Sequence, residues 1–137
     1  MDDLKFIVII PPSGGMIVEQ VHNNNDVQEL VQKYCGFDRI FVDTPLGFEY
    51  MVYASSSKNE TLPVNISLSW IVGGGKAENV VECNRGYGVI CRYVPGNSTF
   101  EDSITGFTCK EVPALITRLQ KLIPRRSFSF ADEIYRI

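Results

Sequence analysis

The chain has 137 residues, 45% of them hydrophobic and 21% charged, with a formal net charge of −3. That length suits one domain around one hydrophobic core, and the composition excludes a disordered chain. The acidic balance, with a pI near 5.1, argues against general nucleic-acid binding, which needs cationic excess to neutralise phosphates.

The opening Met1-Asp2-Asp3-Leu4-Lys5 is followed by an apolar run over residues 6–10 that stops at Pro11-Pro12. The run is too short for a signal-peptide core and has no basic flank, so it reads as a first β-strand. No stretch approaches the roughly 18 apolar residues of a membrane span. A soluble protein made in the host cytoplasm is expected, with no membrane partner. Residues 5–10 and 16–21 then read as a hairpin joined by Pro-Pro-Ser-Gly-Gly.

The first helix is predicted from Asp26, whose side chain can cap the free N–H groups of the first turn, with Glu29 completing a capping box. Val27, Leu30, Val31, Tyr34 and Cys35 make its apolar face, and Gly36 supplies the stop. Residues 39–43 and 48–54 read as strands around the turn Thr44-Pro45-Leu46-Gly47. Phe48, Tyr50, Met51, Val52 and Tyr53 are all bulky, which implies burial on both faces or a face presented to a partner.

Residues 65–72 are ambiguous. Asn65 suits a helix cap, yet Ile66, Leu68, Trp70 and Val72 alternate as in a strand; a helix is the favoured reading, ended by Gly73-Gly74-Gly75. Residues 87–94 predict a strand stopped by Pro95-Gly96. A second strong helix is predicted over residues 113–123, with Pro113 in the first turn and an apolar stripe of Val112, Leu115, Ile116, Leu119, Leu122 and Ile123. The tail, residues 124–137, carries Phe128, Phe130, Ile134, Tyr135 and Ile137. It is too apolar for a solvated end and is expected to dock on its own domain or on a partner chain.

Chemistry-bearing residues are sparse. His22 is the sole histidine, and no nucleophile motif accompanies it. Cys35, Cys83, Cys91 and Cys109 form no C-x-x-C pair, so reduced, buried cysteines are expected rather than a zinc site. The Asn59, Asn65 and Asn97 triplets match the glycosylation pattern by chance when no secretory signal is read. The carboxylates Asp38, Asp43, Glu49, Glu101 and Asp102 are scattered. Three glycine loops, at Ser13-Gly14-Gly15, Gly73-Gly74-Gly75-Lys76 and Arg85-Gly86-Tyr87-Gly88, can offer backbone N–H groups to an anion. Lys76, Arg85 and Arg92 would neutralise it, while Trp70 and Tyr87, with Tyr93, offer stacking faces for a base.

The order of the pieces resembles a family of small bacteriophage and mobile-element proteins defined only as a domain of unknown function. The resemblance covers roughly residues 5–94. It rests on the opening strand with its Pro/Gly turn, Asp26-Val27-Gln28-Glu29-Leu30-Val31 ending at Gly36, the strand pair, Leu62-Pro63-Val64-Asn65, and Arg85-Gly86-Tyr87-Gly88-Val89-Ile90-Cys91. This chain departs from the pattern in a longer insertion before Arg85 and in its C-terminal helix and tail. The resemblance implies a small accessory protein acting inside a bacterial host and supplies no catalytic residues.

These readings predict an α+β domain over residues 1–123, a mainly antiparallel sheet with two amphipathic helices, followed by the tail. The expected function is non-enzymatic: a phage or mobile-element protein that binds and inhibits a host protein, such as a defence component. Tyr50, Tyr53, Phe128, Phe130 and Tyr135 would anchor that partner. The alternative is sequestration of an anionic nucleotide, such as an immune second messenger, by Lys76, Arg85, Tyr87, Arg92 and Trp70. A small carboxylate hydrolase is a third class. No cofactor or metal is expected, and a homo-oligomer fits either binding reading.

Overall fold

The computed structural model describes residues 4–22, 24–36, 40–42, 46–47, 49–55, 61–79, 84–94 and 104–124. In chain order these form β1 (Lys5–Ile10), β2 (Ile17–Val21), α1 (Asn24–Cys35), β3 (Ile40–Val42), β4 (Tyr50–Ala54), α2 (Ile66–Val72), β5 (Gly88–Tyr93), β6 (Ile104–Thr105) and α3 (Glu111–Leu122). The strands make one six-stranded antiparallel sheet, ordered β2-β1-β5-β4-β3, with β6 paired to the far end of β5. The fold is α+β, as the sequence predicts.

Both faces of this sheet are covered. Ile7, Ile9, Met51, Tyr53, Val89 and Cys91 point to one side, where they pack with Val27, Val31 and Cys35 of α1. Their neighbours Val8, Ile10, Val52, Ala54 and Ile90 point to the other, against Leu68 and Ile71 of α2 and Val112, Leu115, Ile116 and Leu119 of α3. This explains why β1 and β4 are near-continuous apolar runs: successive side chains face opposite sides, and neither side is wet. Full burial of each such aliphatic chain contributes about 1.5–3 kcal/mol.

Two helix starts and one short strand differ from the sequence reading. Helix α1 begins at Asn24, so Asp26 lies inside its first turn; its carboxylate accepts the His22 backbone N–H at 2.9 Å. Helix α3 begins at Glu111 instead of Pro113, because Thr108 and Glu111 close a capping box. The Thr108 hydroxyl accepts the Glu111 N–H at 3.3 Å, and the Glu111 carboxylate accepts the Thr108 N–H at 2.8 Å. Strand β6 falls in a stretch to which the sequence reading assigns no element; it is two residues long, too short to leave a periodic signal.

The ambiguous segment is helical, and Asn65 decides it. This residue is fully buried. Its side-chain oxygen accepts the Leu68 N–H at 2.9 Å, which caps α2. Its side-chain amide donates to the carbonyls of Ile10 and Gly86, both at 2.8 Å. One side chain therefore ties the start of α2 to the end of β1 and the approach to β5. Ser69 reinforces the joint by donating to the Asn65 carbonyl and accepting the Asn84 N–H, each at 2.8 Å.

Candidate functional site: a cleft between β4, β5 and α3

Tyr50 and Arg92 are register partners across β4 and β5. Alternation turns both toward α3, where Glu111 and Ala114 rise from the first turn of the helix. Together with Glu49 and Phe107 they line an open cleft of about 140 Å³. The Tyr50 and Phe107 rings lie 5.8 Å apart, tilted by 31°, and form an aromatic surface. Arg118, about one turn beyond Ala114 along α3, places its guanidinium 5.4 Å from the centre of the Tyr50 ring, within cation–π range.

The charges of the cleft are arranged before anything binds. Arg92 donates through Nη1 to the Glu111 carboxylate. Burial alone would disfavour ionised Glu111, but the Thr108 amide, the Arg92 charge and the Thr108 hydroxyl outweigh it and hold the carboxyl below its usual 4.5. The same carboxylate thus caps α3 and orients Arg92. Glu49 is exposed at the rim, and its carbonyl accepts the Tyr93 N–H at 2.9 Å.

The residues expected to hold a nucleotide are not brought together. Arg92 is in the cleft. Tyr87 lies on the opposite side of the sheet, 5.2 Å from the Tyr34 ring. Trp70, a residue of α2, is half-buried against the core on that side of the sheet, and Lys76 is exposed beyond the end of α2. The Arg85 guanidinium donates to the Leu62 carbonyl at 3.0 Å.

The glycine loops are also committed elsewhere. The N–H groups of Gly73, Gly74, Gly75 and Lys76 all donate to carbonyls of α2 or its end, at 2.9–3.4 Å. A side chain at Gly75 would come within 3.2–3.4 Å of Leu122, so that glycine lets α3 approach. Gly14 and Gly86 donate to the Pro11 and Pro63 carbonyls. Among the described residues, no three His, Cys, Asp or Glu side chains gather as a metal site would need.

Of the expected partner anchors, Tyr50 is half-buried in the cleft wall. Tyr53 requires a correction: it is only 6% exposed, because its odd-numbered position in β4 faces α1, so it is a core residue instead of a surface anchor. Phe128, Phe130 and Tyr135 lie outside the described residues, as does Cys83. Cys35 and Cys91 are buried, as expected, and Cys109 is exposed. Burial, reinforced by neighbouring Cys35, pushes the Cys91 thiol up and keeps it protonated.

The sequence reading missed Phe107, Glu111, Ala114 and Arg118. Two signals were present. Thr108-Cys109-Lys110-Glu111 matches the capping-box pattern directly before an apolar stripe. Glu111, Ala114 and Arg118 then recur at the spacing of one helix face.

No protein-family model, no curated protein and no solved structure matches the chain. No helix among the described residues is long and apolar enough to cross a membrane.

Proposed function

We propose that this chain is a non-enzymatic accessory protein of phage or mobile-element type that binds and inhibits a host protein, with defence components as the partner class. The contact is centred on the cleft between Tyr50 and Arg92. What carries this reading is the size and character of the cleft. At about 140 Å³ it falls well below the roughly 300–1,000 Å³ of small-molecule sites. It suits one inserted side chain of a partner instead of a nucleotide. Aromatic and arginine side chains are also the groups that most often anchor protein interfaces.

The opposed charges at the rim support specificity. Glu49 and Arg118 flank the aromatic surface with opposite signs, so a partner must match both, and a mismatched one meets a like charge. The tail aromatics Phe128, Phe130 and Tyr135 are further anchors in this reading, and the apolar tail is also the basis for proposing self-association.

Nucleotide sequestration is the competing reading. The dispersal of Arg85, Tyr87, Trp70 and Lys76 and the engaged N–H groups of Gly73–Gly75 weigh against it. Affinity capture from bacterial extract tests the proposal, comparing the native chain with Glu49→Lys and Arg118→Glu. Both positions are exposed, so the fold should persist. A discrete host protein retained by the native chain and lost by both variants is the expected result. Equal retention by all three would remove the cleft from the interface.

A further inference from the structure

The outermost strand, β2, leaves a row of backbone groups open. The Phe6 N–H donates to the Phe107 carbonyl at 2.8 Å, and the Phe6 carbonyl accepts the Phe107 N–H at 2.7 Å. The backbone of Phe6 therefore points away from β2. Backbone direction alternates along an antiparallel strand, so Lys5, Ile7 and Ile9 turn theirs toward β2, where they meet Val21, Glu19 and Ile17. The N–H and C=O groups of Val18 and Gln20 then point outward, where no strand pairs with β2 among the described residues. Nothing blunts this edge: β2 holds no proline or lysine, and its register with β1 runs without a bulge from Ile17 to Val21.

The side chains beside the edge differ between the two faces. On the α3 side, Phe6, Val18, Cys109, Val112 and Pro113 line an apolar groove of about 150 Å³. On the α1 side, Ile17 is 42% exposed, and the half-buried Glu19 presents a carboxylate held by the Tyr34 hydroxyl.

We propose that the β2 edge takes up an extended segment of another protein as an added antiparallel strand, and that this segment reads polar, basic, apolar, apolar from its N-terminal end. Main-chain bonds to Val18 and Gln20 supply the attachment, and the alternating side chains supply the selection. The antiparallel sense is that of the sheet's own pairs. In this register the four residues face Gln20, Glu19, Val18 and Ile17 in turn. The basic residue meets the Glu19 carboxylate, the first apolar side chain lies over the groove, and the second covers Ile17. Charge also selects against a second copy of this chain. Pairing Val18 with Gln20 between two copies sets their Glu19 carboxylates directly opposite each other, which is destabilising. The Tyr50–Arg92 cleft consists of other residues, so this inference stands apart from it.

Titration of the isotope-labelled chain with the capped hexapeptide Ser-Thr-Lys-Leu-Ile-Ser, followed by NMR, gives the test. In the free chain the Val18 and Gln20 amides should exchange quickly with solvent, and the peptide should slow both several-fold. Glutamate in place of the peptide's lysine should weaken binding several-fold, and Glu19→Gln should erase that preference. Methylating the leucine amide nitrogen, which removes a ladder donor, should abolish binding. The peptide variants act on the native chain, so they decide even where Glu19→Gln disturbs the fold. No binding, or equal binding by the glutamate or methylated peptide, would overturn the proposal. So would Val18 and Gln20 amides already protected in the free chain. Protection independent of concentration would mean that the chain covers its own edge, and protection lost on dilution that a second copy does.

Discussion

Tyr50 and Arg92 face each other across β4 and β5, on the side of the sheet that α3 covers. Arg92 is held there by Glu111, and Glu111 is held in turn by the Thr108 capping box. The start of α3 and the shape of the cleft therefore depend on one carboxylate.

That dependence makes the site acid-sensitive. The folded pKa of Glu111 lies below its ordinary 4.5, so its contribution to stability is present above that value and is lost as pH falls through the folded pKa. Both partners of the ion pair are about a third exposed, at 34% and 36%, so solvent screening keeps the contribution modest. Urea unfolding of the native chain and Glu111→Gln should show a difference that is largest near neutral pH and shrinks in acid. A difference that grows on acidification would contradict the assignment.

Asn65 is predicted to be the most sensitive polar residue of the fold. Asn65→Ala leaves two carbonyls and one N–H without their partner inside the protein. Each buried unsatisfied group costs about 1–3 kcal/mol. Equilibrium unfolding should show a loss of roughly 3 kcal/mol or more. A loss well under about 1 kcal/mol would mean that water replaces the side chain at little cost.

Gly88 sets how closely α2 approaches the sheet. A Cβ there would lie 2.6 Å from one Leu68 methyl and 2.9 Å from the other, and Leu68 is fully buried. Gly88→Ala should therefore destabilise by about 1–3 kcal/mol through overpacking. The penalty should be smaller when Leu68 is already Ala. Strict additivity in this double-mutant cycle would show that the two residues do not press on each other.

How much of this was legible in sequence differs by element. Helices α1 and α3 and the β1–β2 hairpin carry strong periodicity or turn chemistry, so local sequence sufficed. Helix α2 did not announce itself, because Ile66, Leu68, Trp70 and Val72 satisfy either period; the Asn65 cap decides between them, and its other bonds come from distant strands. The sequence marks both Tyr50 and Arg92, but for rival functions. Their meeting depends on strand register, which neither segment encodes alone. Tyr53 was misplaced for a related reason: in a sheet buried on both faces, bulk does not tell which side chains reach the surface.

On the α1 side, the Tyr34 hydroxyl donates to the Glu19 carboxylate at 2.7 Å. That hydrogen bond, aided by burial and the Glu19 charge, raises the Tyr34 pKa from 10.0 to about 12. The link stabilises the fold below the unfolded value of 10.0 and is lost as pH rises through the folded value. Phenolate absorbance should show one tyrosine ionising late, and Glu19→Gln should bring it back toward its ordinary range. An unchanged titration in that variant would place the late tyrosine elsewhere.

Native mass spectrometry of the chain purified gently from bacterial extract tests the central claim most directly, because it reports bound protein and retained small molecules together. The account predicts a complex with a discrete host protein that Arg118→Glu fails to form, and no added mass matching a nucleotide. A nucleotide retained by the native chain, with no protein companion, would contradict it.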